Sequence, residues 1–465
     1  MTVTVTADIL GKKRFHFIGI GGIGMSALAK ILLEMGYTVS GSDLTLNNLT
    51  KAMETLGARI FRGHRQSHLP DDTEVVVYSS SIARDNPEFS RAVEKGLPVI
   101  QRGFLLGELL NRRKGIAVAG THGKTTTTAM ISQLLERAGL DPTVAVGGEV
   151  FGFGSNARLG KGEWFVAESD ESDGSFLYLK PDIAVVTNVE MEHSDYYSSF
   201  DKVIEAYSLF VGNIRQGGLL VAYGEDKNID KLIRRRDVVT RTYGWVPGAT
   251  VYPQDVRIDG FGSTYQCVFK GARIGTVRLV VPGRHNILNS LAVILVGLSL
   301  GVSFDRISAG LGDFRGTKRR FQVRSEARGI TLVEDYAHHP TEIRAVLETA
   351  KSLGKGRIIV VFQPHRYSRT KCFAEEFGRC FALADRLILT DIYAASEKPL
   401  RGVSVRTIYD GAVSNGMKDV VIEKKEAIAD RIMGDVREGD VILILGAGDI
   451  REVADTLAKR LPPHT

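Results

Sequence analysis

The run Gly120-Thr121-His122-Gly123-Lys124-Thr125-Thr126 gathers within a few residues what a nucleoside triphosphate needs. Backbone N–H groups of a glycine-rich turn at a helix N-terminus face phosphate oxygens, a lysine reaches the β and γ oxygens, and a threonine hydroxyl ligates Mg²⁺. The strict spacing has another glycine where this chain has Val118, so a generic glycine turn is the alternative. The order of apolar strand, Gly-Lys-Thr and helix favours the triphosphate loop. Downstream, Trp164–Ala167 runs into Glu168, and Asp182–Asn188 runs into Glu190, Glu192, His193 and Asp195. Mg²⁺ takes a few oxygen ligands beside substrate phosphates, and Glu168 can supply one. His193 is a less usual Mg²⁺ ligand, with a purely structural histidine as the alternative. The acidic run Asp170–Asp173 reads as a solvated loop.

A second glycine motif, Gly19-Ile20-Gly21-Gly22-Ile23-Gly24, follows the apolar run Phe15–Ile20 and opens a helical pattern over Ser26–Met35. It fits the fingerprint in which glycines allow close approach of a diphosphate to a helix N-terminus. Asp43, at the end of the next strand, stands where a ribose-binding acid stands, or is a turn or N-cap aspartate. Asn289 is placed to cap an apolar helix running to Leu300, while Asn286 could bond a base or ribose. In the last third, Glu334-Asp335-Tyr336-Ala337-His338-His339-Pro340-Thr341-Glu342 and Gln363-Pro364-His365-Arg366-Tyr367-Ser368-Arg369 each follow a strand. Two arginines beside a histidine suit carboxylates or phosphates; the alternative is a pair of helix-surface cations.

These residues need strands to carry them. Continuous Val/Ile/Leu runs without alternation, each followed by a glycine or polar turn and a helical pattern, predict parallel α/β sheets covered on both faces. The ligand groups then sit at the carboxyl ends of strands, where such sheets bind ligands. The stretch Gly244–Gly283, richer in Gly, Thr and Arg, reads as an antiparallel excursion. New strand–glycine–helix units begin near Leu106–Arg113 and Phe314–Arg320, giving three α/β domains, a number that 465 residues allow. With 43% hydrophobic and 25% charged residues the chain is of ordinary globular composition, and its net charge of +6 is modest. Three cysteines without a C-x-x-C pair argue against a disulfide framework or structural zinc site and fit a reducing cytoplasm. Met1–Lys12 has no apolar signal core, so secretion and membrane insertion are not expected.

Taken in order, Gly-Thr-His-Gly-Lys-Thr-Thr, Glu168, His193, Asn286, Asn289, Arg320 and Asp335 resemble the motifs of the Mur ligases, ATP-dependent amino-acid ligases of peptidoglycan precursor synthesis. Gly-Ile-Gly-Gly-Ile-Gly-Met-Ser, Asp-Tyr-Ala-His-His-Pro-Thr-Glu-Ile and Phe-Gln-Pro-His-Arg-Tyr-Ser-Arg-Thr are similar to the alanine-adding branch, over nearly the whole chain. The resemblance implies a Rossmann-like domain over 1–107 for a UDP-sugar, a P-loop ATPase-like domain over 108–316 for ATP, and a Rossmann-like domain over 317–465 for the amino acid. It implies a cytoplasmic enzyme joining L-alanine to UDP-N-acetylmuramate through an acyl phosphate, with ATP and Mg²⁺, as a monomer or weak homodimer without nucleic acid. A ligase recycling a whole tripeptide onto the same sugar is the alternative.

By the same resemblance Gly19, Gly21, Gly22, Gly24, Met25, Ser26 and Asp43 bind the UDP-sugar. Gly120 to Thr126 hold ATP with Asn286, Asn289, Arg320 and Asp335. Lys124 contacts the γ-phosphate, Thr125 and Glu168 the first Mg²⁺, and His193 the second. Tyr336, His338, Arg366 and Arg369 surround the alanine and the lactyl carboxylate. Sibling ligases place a carbamylated lysine after the His193 equivalent; here no lysine lies between Lys202 and Lys227, as in the alanine-adding branch.

Overall fold

The computed structural model describes residues 8–193, 196–233, 238–395 and 397–461; Asp195 and the first seven residues lie outside them. Three sheets result. In the first, Arg59–Arg62, Thr38–Asp43, Arg14–Ile18, Val75–Tyr78 and Val99–Gln101 lie side by side in that order, all parallel. Counted in chain order this is 3-2-1-4-5, the doubly wound order whose crevice lies beyond the carboxyl ends of the strands. The apolar runs are buried on both faces, Val75, Val76 and Val77 completely.

The middle sheet has a parallel centre: Val239–Tyr243, Leu219–Tyr223, Ile183–Val186, Lys114–Ala119, Trp164–Glu168 and Thr143–Val150. The stretch read as an antiparallel excursion does form a meander, Val251–Asp259, Gly262–Phe269 and Ala272–Leu279, added to one edge of this sheet. In the third sheet the antiparallel edge strand Gln322–Ala327 precedes five parallel strands, Ile330–Asp335, Val441–Leu445, Ile358–Phe362, Arg386–Leu389 and Val420–Ile422. The main apolar runs of the sequence fall on observed strands, with ends shifted by one or two residues.

Two junctions fix how the sheets face each other. The helix Arg102–Asn111 spans the expected boundary at 107 instead of ending there, because Gly103 and Gly107 let it press on the short 3₁₀ turn Ser175–Tyr178 of the middle unit. An added Cβ at Gly107 would lie 2.9 Å from Tyr178. At the second junction Thr317 bridges to Val150 and Lys318 pairs with Glu149 at 2.6 Å. Among the described residues no helix is long and apolar enough to cross a membrane.

Candidate active site

The strand ends of all three sheets open into one cavity of about 990 Å³. Gly21, Lys124, Glu168, His193, Arg320 and Arg366 all line it, so residues up to 345 positions apart share one space.

The middle unit supplies the most strongly built wall. The strand Lys114–Ala119 delivers Gly120, whose φ of 135° and close approach to the Thr187 hydroxyl leave no room for a side chain. Thr187 donates to the His122 carbonyl at 2.6 Å, and Asn188 accepts from the His122 N–H at 2.8 Å. The loop is thus pinned from the neighbouring strand. Lys124 opens the helix Lys124–Arg137, with Gly139 in the left-handed region just beyond it. The Lys124 ammonium donates to Gly120 O at 2.6 Å and pairs with Glu171 at 2.8 Å. Burial disfavours this charge, yet Glu171, Glu168 and Asp170 more than offset it and raise the Lys124 pKa.

Glu171 corrects the reading of Asp170–Asp173 as a solvated loop. Its side chain is 3% exposed, 3.5 Å from His193 Nε2, and its second carboxylate oxygen is buried without a hydrogen bond. Asp170 is half-buried and paired with Arg102 at 2.9 Å. Thr125 donates to Glu168 at 3.0 Å, and Glu168 accepts Gly147 N–H at 2.6 Å. Burial raises the Glu168 pKa against the pull of Lys124 and Arg320. Thr125 with Glu168, and Glu171 with His193, are thus two donor pairs, mostly hard oxygen, that could each contribute to holding Mg²⁺ beside phosphates.

Asn286 and Asn289 do not cap the apolar helix. It spans Arg284–Ser299 from an N-cap at Gly283, which places both asparagines inside its first turns. They are buried and linked, Asn289 donating to Asn286 at 3.1 Å, and Asn289 Oδ1 would lie 2.8 Å from a Cβ at Gly123. They underlie the phosphate loop rather than line the cavity.

In the first sheet Gly22 caps the helix Ile23–Glu34, and Gly21, Gly22, Gly24 and Met25 line the cavity. Gly19, at φ 85°, makes the turn just beneath them. Asp43 is a turn acid: it accepts Gly21 N–H at 2.9 Å and Thr45 N–H at 3.2 Å, while Asn47 caps the next helix. Ser26 is fully buried and bonds Ile23 O and Asn156, so it faces the middle unit instead of the cavity. Arg102, which sequence reasoning passed over, lies above Gly24 as a cation for this glycine loop. Its signal was weak, being one arginine at the start of an ordinary helix.

The C-terminal wall is strained and cationic. Arg319 and Phe321 both have positive φ, 60° and 41°, and hold Arg320 between them. Asp335 fixes this turn by accepting Phe321 N–H at 2.6 Å, and also accepts Ala337 N–H at 2.7 Å. Burial raises its pKa to about 6 against the pull of Arg320. The Arg320 guanidinium lies 5.3 Å from the Tyr336 ring centre and 3.5 Å from the Thr125 hydroxyl. His338 is neutral, its pKa lowered to about 4 by burial despite Glu342, and its Nδ1 bonds Tyr336 O at 2.9 Å. Arg369 is buried, not a helix-surface cation: it donates to Glu192 at 2.8 and 3.0 Å and to His365 O at 3.0 Å. Arg366, at φ 72°, lines the cavity at the N-cap of the helix Tyr367–Cys372.

Comparison with known proteins agrees with this geometry. Three family profiles match in succession: "Mur ligase family, catalytic domain" over residues 14–114, "Mur ligase middle domain" over 118–297, and "Mur ligase, glutamate ligase domain" over 319–448. The UDP-N-acetylmuramate–L-alanine ligases of Geotalea uraniireducens and Trichlorobacter lovleyi are each 46% identical, over 97% of this chain and 98% and 99% of their own lengths. The crystal structure of UDP-N-acetylmuramate-alanine ligase from Thermotoga maritima superposes with a TM-score of 0.83 at 32% identity, covering 97% of this chain and 99% of that one. A murein peptide ligase from Psychrobacter arcticus, at 24% identity and a TM-score of 0.74, shares the fold. On full-length identity, three successive domain matches and a common α/β architecture, the chain belongs to the Mur ligase family.

Proposed function

We propose that the chain is the ADP-forming ligase that joins L-alanine to the lactyl carboxylate of UDP-N-acetylmuramate, in the cytoplasm, during peptidoglycan precursor synthesis. Three units would divide the work, 1–107 for the UDP-sugar, 108–316 for ATP and 317–465 for the amino acid. The observation that carries this reading is the single cavity in which a diphosphate-type glycine loop, a triphosphate loop with its lysine, and an arginine–histidine cluster meet. An isolated nucleotide-binding module has no use for the third wall.

A free carboxylate is a poor electrophile, so the reaction needs an activated oxygen. In this reading the lactyl carboxylate attacks the γ-phosphorus, ADP leaves, and the alanine amine then displaces phosphate from the acyl carbon. Lys124 leaves Glu171 for the γ-phosphate oxygens and offsets the charge moving onto the leaving group. Mg²⁺, when bound, supplies further charge neutralisation, held by Thr125 and Glu168, with His193 and Glu171 for a second ion. Arg320 approaches the same phosphates from the C-terminal unit. Arg366 holds the alanine carboxylate as a guanidinium fork. Because His338 commits Nδ1 to Tyr336 O, its Nε2 is the acceptor that orients the amine. Arg369, locked on Glu192, positions this wall.

UDP-N-acetylmuramate carrying ¹⁸O in its lactyl carboxylate tests the route. One labelled oxygen should appear in the released phosphate. Label in AMP, or phosphate without label, would exclude the acyl phosphate.

A further inference from the structure

Beside the cavity, which His122 lines, His122, Glu190 and His339 bring two imidazoles and a carboxylate to one point, with ligand atoms within 4.8 Å of one another. His122 belongs to the phosphate loop, Glu190 follows the strand Ile183–Val186, and His339 caps the helix Pro340–Ser352 of the C-terminal unit. His122 Nε2 lies 3.6 Å and His339 Nδ1 4.0 Å from the same Glu190 oxygen. Bonds of 2.0–2.2 Å to a tetrahedral ion put neighbouring ligand atoms about 3.4 Å apart, so small side-chain rotations close the set.

The outer nitrogens carry the stronger argument. His122 Nδ1 faces Glu342 at 3.3 Å and His339 Nε2 faces Glu192 at 3.8 Å. A metal-bound histidine commonly turns its second ring nitrogen to a carboxylate in this way. His122 Nε2 is buried and makes no hydrogen bond, its 3.6 Å approach to Glu190 being purely electrostatic. His339, 3% exposed, likewise buries Nε2 without a hydrogen bond. Its Nδ1 accepts one long bond, 3.3 Å, from Thr341 N–H, which a cation would replace.

We propose that His122, Glu190 and His339 form a site for a borderline first-row divalent cation such as Zn²⁺, which staples the phosphate loop to the C-terminal unit. Two imidazoles and one carboxylate suit zinc, cobalt or nickel, whereas Mg²⁺ takes oxygen ligands. Metal binding displaces the His122 proton to solvent, and Glu190, Glu192 and Glu342 offset the added charge against Arg320 and Arg369. A cation here holds two walls of the cavity together, so it slows the opening that releases product. The proposal stands on this geometry and does not require the alanine-ligase reading.

The test is Co²⁺ binding to the full chain, without ATP and with Mg²⁺ in excess, read by visible d–d absorption. One equivalent should bind with the intense bands of a low-coordinate site. His339→Gln, His122→Asn and Glu190→Gln should each weaken binding at least tenfold, and Glu342→Gln by roughly tenfold through the outer ligand contact. His193→Ala and Glu168→Gln should leave the bands intact. Glu190 is partly exposed, so Glu190→Gln decides the matter even if His339→Gln fails to fold. Absence of the bands in the unaltered protein, their survival in Glu190→Gln, or their loss in His193→Ala alone would overturn the site.

Discussion

The two glycine loops of this molecule look alike in sequence and differ in what fills them. The first, Gly19 to Gly24, is a cradle of backbone: Asp43 takes the Gly21 N–H, and the nearby cation, Arg102, comes from another helix and is drawn aside by Asp170. The second carries its own ammonium. Lys124 folds over the carbonyls of Gly120 and Thr121, and a buried carboxylate 47 residues away holds it there. A loop of the first kind suits a diphosphate that is bound and left unchanged. One of the second kind suits phosphate whose charge moves during reaction, because its cation is already desolvated and has a counter-charge to leave. Glycine spacing reports only close approach; the cation and its partner separate holding from transfer.

The largest test of that difference is Lys124→Ala. Turnover should fall roughly a hundredfold or more, the ~3–4 kcal/mol of a lost charged transition-state contact, with UDP-N-acetylmuramate binding unchanged. Near-normal turnover would make both loops passive cradles. Gly21→Val should do the reverse. Its Cβ would lie 2.9 Å from Asp43 Oδ2, closing the first cradle. UDP-N-acetylmuramate affinity should drop at least tenfold, about 1.4 kcal/mol, while ATP binding persists in calorimetry. Loss of ATP binding in a folded Gly21→Val protein would mean the two ligands have been exchanged.

What could be read from the sequence was local. Both glycine loops, the parallel strands that deliver them and the helix after Lys124 follow from residues within a dozen positions of each other, and all are present. The partners were not legible, because burial by distant chain decides them. Glu171 sits in a run rich in acids and serine, and composition alone favours solvent there; its pairing with Lys124 depends on adjacent strand ends in the middle sheet. Arg369 and Glu192 are 177 residues apart, so neither motif announces the other. Asn289 misled for a different reason. Gly283, at φ 96°, starts the helix earlier than the polar residues suggest, and the asparagine that looked like a cap lies under Gly123.

A smaller effect sharpens the comparison at the counter-charge. Without metal, ATP must displace Glu171 from Lys124 and approach a carboxylate of its own sign. Glu171→Gln removes both penalties and keeps the shape. Metal-free ATP should therefore bind roughly fivefold more tightly, about 1 kcal/mol, by equilibrium dialysis in chelator. The first loop's own anion, Asp43, is held by the Gly21 N–H and is untouched by this change, so UDP-N-acetylmuramate affinity should not change. Weaker metal-free ATP binding in this variant would show that Glu171 supports the loop's shape more than it opposes phosphate.

The smallest effect concerns His122, the imidazole of the second loop. Burial alone would lower its pKa, but Glu190 and Glu342 outweigh burial and raise it to about 9 from an ordinary 6.5. A group whose pKa is raised on folding stabilises the folded state fully below its unfolded value and loses that contribution as pH rises through its folded value. In chelator, the contribution is thus complete below pH 6.5 and gone once the pH passes about 9. Allowing for solvent at the partly exposed Glu190, it is on the order of 1 kcal/mol, or a few degrees in Tm for a unit of this size. Thermal unfolding of the unaltered protein and of His122→Gln should accordingly differ most at pH 6 and converge near pH 9.5. Ile23, in the first loop, offers a control, since Ile23→Val should give a difference that does not vary with pH. A gap between His122→Gln and the unaltered protein that widens toward alkaline pH would mean that His122 is neutral in the folded protein, and that its carboxylate neighbours are held by other cations.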